Sequence, residues 1–161
     1  MRTRLDDFIS RISAQRDILD HIAARQASLP DGPILEIGLG NGRTYSHLRV
    51  RFADRHIIAF DRENGAHGSC RPDDGDVVIG DIRETCLSYT GTRAALVHAD
   101  IGTGYPEQDA IIREWLPSRM VAVLTRGGFV ASGLGLKHSE LEEMPVPPSV
   151  EKGRYFLYRR R

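Results

Sequence analysis

The sequence is poor in cysteine, in net charge and in long apolar runs, and each shortage removes a class of protein. Only Cys70 and Cys86 occur, with neither the paired spacing of a metal or redox site nor the density of a disulfide scaffold, so reduced thiols are expected. Lysine plus arginine (22) cancels aspartate plus glutamate (22). The broad positive field that gathers phosphate backbones is therefore missing, and nucleic acid is not an expected partner. The small basic clusters, Arg2 with Arg4 and Arg159 with Arg160 and Arg161, are placed where charges are ordinarily solvated. No apolar stretch is long enough to span a bilayer, and the first twenty residues lack the apolar segment of a secretory leader, so a cytoplasmic protein without membrane contact is expected. Internal repeats are absent, and the proline cluster over 144–149 is too short to be low complexity.

What is present suits a globule able to bury a core, with 40% hydrophobic and 27% charged residues in a chain of 161, the length of one domain. Its expected parts are an N-terminal helix within 1–30, a ligand-binding core over 33–132, and a loop with a closing strand over 133–161. Leu5, Phe8, Ile9, Ile12, Leu19 and Ile22 recur at helical spacing behind a capping box of Thr3 and Asp6. Pro30 and Gly32 punctuate the chain, so this helix is expected to stop near 28–32. Short apolar runs then alternate with helical stretches. Strands are predicted at 33–37, 56–60, 77–80, 94–99 and 129–132, and helices at 43–52, 106–116 and 118–125, with a helical turn around 83–87. Gly127 and Gly128 are expected to turn the chain into the strand at 129–132. Such alternation predicts an α/β protein whose mostly parallel sheet is covered on both faces. The final apolar run, 155–158, follows no convincing long helix. Because a parallel crossover needs a dozen or more residues, this strand could enter antiparallel.

The chemistry concentrates where the first predicted strand meets the first following helix. Glu36, Gly38, Gly40 and Gly42 spell E-x-G-x-G-x-G there, with Leu39 inside the turn. Glycines at that place permit positive φ and let a ligand approach bare backbone, and the helix that follows offers unpaired N–H groups. A dinucleotide-binding turn wants its third glycine at the position of Arg43, and Glu36 suits a ligand with a cationic amine better than a pyrophosphate. The alternative is that Glu36 caps loop amides and the glycines only make a tight turn. Asp61, followed by Arg62, ends the next strand, where a carboxylate can accept both hydroxyls of a ribose; a solvated strand end is the bland reading. Asp81 and Ile82 end the third strand and could meet the amine and the ring face of adenine, although a helix N-cap explains Asp81 equally well.

Together these residues resemble the class I S-adenosylmethionine-dependent methyltransferases over about 34–132. The likeness rests on the glycine turn, Asp61, the pair Gly80 and Asp81, and the segment V-L-T-R-G-G-F-V at 123–130. The resemblance implies a Rossmann-like, doubly wound sheet, with S-adenosyl-L-methionine as cofactor and S-adenosyl-L-homocysteine as product. It further implies that Gly38, Gly40 and Gly42 wrap the methionine part, Glu36 helps hold its amino group and Asp61 binds the ribose. After Ser132 the usual helix and two closing strands are compressed, so a shortened C-terminal end is expected.

Methyl transfer from a sulfonium needs alignment more than acid–base help. If a base is used, the end of the fourth strand is its place, since ligands of open α/β sheets sit outside the strands' carboxyl ends. His98 and Asp100 are the candidates there, with Asp100 also within reach of the cofactor. Their plainer roles are a buried, satisfied histidine and a carboxylate that fixes the loop over 102–104; Tyr105 could line an acceptor pocket or merely pack. With no inserted substrate domain, a small-molecule acceptor is expected, and a homo-oligomer is possible. A nicotinamide-dependent oxidoreductase and a non-catalytic S-adenosylmethionine-binding module are the alternatives.

Overall fold

The computed structural model describes all 161 residues. Helix α1 (Arg4–Ala23) begins as the capping box requires: the Asp6 N–H donates to the Thr3 hydroxyl at 3.1 Å and the Thr3 N–H to the Asp6 carboxylate at 2.8 Å. It ends well before the residues expected to stop it, and a short 3-10 turn, Gln26–Ser28, fills the interval. The reason is burial: Ile22 is the last residue of the stripe that faces the sheet, and residues 24–28 are exposed. The same helix departs from expectation at its start. Ala14, Ile18, Leu19 and Ile22 enter the core, whereas Leu5, Phe8 and Ile9 are exposed.

Seven strands form one sheet: β1 (Ile34–Ile37), β2 (Ile57–Asp61), β3 (Val77–Ile79), β4 (Ala94–Ala99), β5 (Leu124–Ser132), β6 (Leu141–Met144) and β7 (Phe156–Arg160). Their order is β3-β2-β1-β4-β5-β7-β6. The first five are parallel, and β7 runs antiparallel to both β5 and β6. β1 and β4 are buried at every position, as expected of strands covered on both faces. One face is covered by α1 and α2 (Arg43–Arg51), which share a core with Ile34, Leu96 and Leu157. The other is covered by α4 (Pro106–Val123) and the short α3 (Ile82–Thr85), through Leu116, Met120 and Val123. Strand order reverses between β1 and β4, and such a reversal opens a crevice at the strands' carboxyl ends.

Three expectations are corrected. The helices predicted at 106–116 and 118–125 are one helix that continues through Pro117. Proline costs about 3 kcal/mol inside a helix, but Leu116, Met120, Val121 and Val123 bury their side chains on either side of it, and that packing holds the axis together. Gly127 and Gly128 do not precede the fifth strand; they lie within it. Gly127 has φ +80° and the pairing register with β4 slips between Ala94 and Leu96, the signature of a bulge. A Cβ on Gly128 would stand 3.0 Å from the carbonyl oxygens of Ala94 and Ala95, so only glycine fits that approach. The strand β6 escapes sequence reading because Glu142 and Glu143 are half of it and both are exposed at the sheet edge. Residues 133–140 join β5 to β6 without a helix, which is the shortening at the C-terminal end.

Candidate cofactor cleft

A cleft of about 830 Å³ lies over the carboxyl ends of β1, β2, β3 and β4. Its floor is the turn after β1, where Gly38, Gly40 and Gly42 have φ of +94°, +52° and +83°. The three glycines serve different ends. A Cβ on Gly38 would fall 2.8 Å from the carbonyl oxygen of Asp100, and one on Gly42 would fall 2.9 Å from the Cβ of Ala66. A Cβ on Gly40 would meet nothing within 4 Å, so that glycine alone presents bare backbone to open space. Gly38, Leu39 and Gly40 line the cleft; Gly42 does not, being the left-handed residue that caps α2 and admits the segment from Ala66 to Cys70. The expectation that Gly42 wraps a ligand is corrected accordingly.

The acids at the strand ends sit around this floor. Asp61 accepts the Gly40 N–H on Oδ2 and the Arg62 N–H on Oδ1, both at 2.7 Å, so the turn and the end of β2 are fixed to each other. Each carboxylate oxygen keeps a second lone pair for a ligand hydroxyl. Asp81 accepts the Arg83 N–H at 2.9 Å and caps α3; its other oxygen has no protein partner, and both Asp81 and Ile82 line the cleft, as do Asp61 and Arg62. Asp100 lines it as well. Its carboxylate accepts Arg11 Nη1 at 2.9 and 3.2 Å and Gln15 Nε2 at 2.6 Å, which ties the end of β4 to α1. The loop over 102–104 is held by a different acid: Asp109, buried, accepts the N–H and the hydroxyl of Thr103 at 2.7 and 2.8 Å. Tyr105 is largely exposed and outside the cleft lining.

Glu36 and His98 are the larger correction. Both are fully buried, and neither lines the cleft. They are cross-strand partners on β1 and β4. Glu36 Oε2 meets His98 Nδ1 at 2.7 Å, Oε1 accepts the hydroxyl of Thr44, and His98 Nε2 meets the hydroxyl of buried Tyr155 at 2.6 Å. Lying wholly beneath the floor, the Glu36 carboxylate presents no accessible oxygen to the cleft. Burial alone would lower the basicity of His98, but the charge of Glu36 and the hydrogen bond to it prevail, and the imidazole is raised above its ordinary 6.5. Burial pushes the Tyr155 phenol well above its ordinary range, and the nearby carboxylates of Asp100 and Glu36 push the same way.

The walls are helices. One is α1, through Arg11, Ile12, Gln15 and Leu19; the other is α4, through Gln108, Ile112 and Trp115. A signal for the first existed: Gln15 is a polar residue between Ile12 and Leu19 on an otherwise apolar stripe, and it is 5% exposed. Nothing local marked α4, because its lining residues also pack on the core.

A family model described as S-adenosyl-L-methionine methyltransferase matches residues 2–160. Among solved structures, an S-adenosyl-L-methionine methyl transferase from Silicibacter pomeroyi is 40% identical, covers 99% of this chain and 100% of its own, and superposes with a TM-score of 0.90. Two more distant ones share the fold alone. They are a probable spermidine synthase from Corynebacterium glutamicum (14% identical, 91% of this chain, 63% of that one, TM-score 0.62) and the antibiotic-resistance methyltransferase Kmr (11%, 88%, 92%, 0.55). None of the curated proteins matches the sequence.

Proposed function

Because the chain belongs to the S-adenosyl-L-methionine methyltransferase family, we propose that this cleft is where it binds the cofactor and that the methyl acceptor is a small molecule. The observation that carries the reading is the cleft itself. Its floor has one glycine, Gly40, with nothing above its backbone; Asp61 accepts the N–H of that glycine, and Asp100, whose main chain lies against Gly38, lines the same cleft. The main chain at Gly38 to Gly40 takes the amino-acid part, Asp61 with Arg62 takes the ribose, and Asp81 with Ile82 takes the adenine edge and face. Asp100 fills the place expected of Glu36, as the carboxylate that faces a cationic amine.

When bound, the cofactor supplies a methyl group already activated as a sulfonium, so the protein's task is alignment. Favourable orientation is worth on the order of 7–11 kcal/mol. Arg11 and Gln15 hold the Asp100 carboxylate, and α1 and α4 wall the space beside it. Cofactor and acceptor share this one cleft of about 830 Å³, a volume within the range of ordinary small-molecule sites, about 300–1,000 Å³.

Two experiments test these points. Crystals soaked in S-adenosyl-L-homocysteine should show it between the Gly38–Asn41 turn and Asp61; a cleft left empty with the compound bound elsewhere rejects the site. Methyl-labelled cofactor incubated with the protein and a cell extract should yield a new labelled low-mass product. Label recovered only in precipitated nucleic acid or protein rejects the small acceptor.

A further inference from the structure

The buried polar chain under the cleft is more extensive than support for one strand end requires. It starts at Thr44, which lines the cleft from α2, and passes through Glu36 on β1 and His98 on β4 to Tyr155, just before β7. Tyr155 then approaches the cleft again. Gln15 lies against its hydroxyl and donates to Asp100, and a Cβ on Gly133 would stand 3.2 Å from Asp100 Oδ1 and 3.4 Å from the Tyr155 ring. Glu36, His98 and Tyr155 are each no more than 1% exposed. The groups that face His98 are Glu36 from β1, Tyr155 just before β7 and Asp100 just past the end of its own strand, with Gln15 and Arg11 of α1 behind Asp100, whereas β5 sets only Ala131 beside it.

We propose that His98 with Glu36 is a proton store beneath the cofactor, releasing its proton when the sulfonium cation binds and recovering one when the methyl group is transferred. This rests on the cleft being the cofactor site. The charges require the exchange. With His98 protonated on both nitrogens, Nδ1–H donates to Glu36 and Nε2–H to the Tyr155 oxygen, and the pair is neutral overall. Asp100 and Arg11 are likewise a neutral pair. A cation arriving over this floor opposes the buried imidazolium and favours its neutral form. An acceptor X–H then attacks the methyl carbon, the C–S electron pair goes to sulfur, and X–CH₃ leaves one proton behind. The sulfonium charge has gone, so the imidazole again favours its charged form and has room for that proton. The hydroxyl of Thr44, which donates to Glu36 and lines the cleft, connects the pair to it. The expected loss of basicity at His98 is about one pKa unit, tenfold in proton affinity.

Calorimetric titration in buffers of different ionisation enthalpy counts the protons directly. It is done below about pH 7, where the ligands' own amino groups remain charged. S-adenosyl-L-methionine should release a measurable fraction of a proton more than S-adenosyl-L-homocysteine, which lacks the sulfonium charge. In His98→Asn the difference should vanish while both ligands still bind, a result that a merely structural histidine would not give. Should that variant fail to fold, the His98 ring resonance of the unaltered protein serves instead: its titration midpoint should fall in the S-adenosyl-L-methionine complex and not in the other. Binding with equal proton counts, or a difference that survives His98→Asn, overturns the proposal alone. If neither ligand binds, the cleft assignment fails and the proposal with it.

Discussion

The cleft and the layer beneath it hold two sets of acids that are opposite in design. Asp61 and Asp81 stand at its rim, partly solvated, with backbone N–H groups as partners. Glu36 lies below the floor, fully buried, held by side chains from two other elements, Thr44 on α2 and His98 on β4, the latter backed by Tyr155. A carboxylate that lines the cleft can turn a free lone pair to a ligand, whereas one that is fully buried outside the lining is committed to the fold. In the proposed reading the acids lining the cleft meet the ligand directly, and the buried pair acts through its charge.

Breaking this division should give its largest effect at Glu36. Glu36→Leu leaves His98 without its counter-charge, and removing one member of a buried pair typically costs about 3–5 kcal/mol; Asp61→Ala should cost far less. Urea unfolding of the two variants checks the contrast, and similar midpoints would erase it. Ligand affinity should respond in the reverse sense. Gly40→Asn, chosen because asparagine tolerates the left-handed backbone, should weaken S-adenosyl-L-homocysteine binding at least about tenfold, or 1.4 kcal/mol, with the fold intact. Gly42→Asn should instead lower stability, since its side chain meets Ala66 and Cys70.

The pH dependence of stability sharpens the comparison further. His98 is raised above 6.5 in the native protein, so its contribution is fully present below about pH 6.5 and is lost as pH rises through the elevated native value. Unfolding free energies measured across that interval should fall with rising pH in the unaltered protein and stay flatter in Glu36→Gln. The smallest effect belongs to Asp81. Asp81→Ala removes an exposed helix cap, worth about 1 kcal/mol, and a loss several times larger would mean that Asp81 belongs with the buried set.

Much of this was legible in the sequence because it is written locally. The capping box of α1, the glycine turn and the run Ala94–Ala99 of β4 each depend on neighbours a few residues away, and the structure places them as read. The misreadings share a cause. Pro117 and the pair Gly127 and Gly128 carry local signals to stop, and packing overrides them: the first through apolar residues on either side, the second through close approach of β4. Glu36 carried a local signal as well, an acid beside a glycine turn, and it pointed the right way along the chain and the wrong way in space.

By itself the sequence determined the succession of the first five strands and the turn that opens the cleft, since periodicity and glycine conformations are properties of adjacent residues. Only the tertiary structure decided that β7 returns antiparallel, that α1 and α4 wall the cleft, and that Glu36 faces His98 instead of the space above. Those outcomes join residues far apart in the chain, 62 positions for Glu36 and His98 and 89 for Arg11 and Asp100. A side chain buried without water takes whichever partner the sheet register sets opposite it.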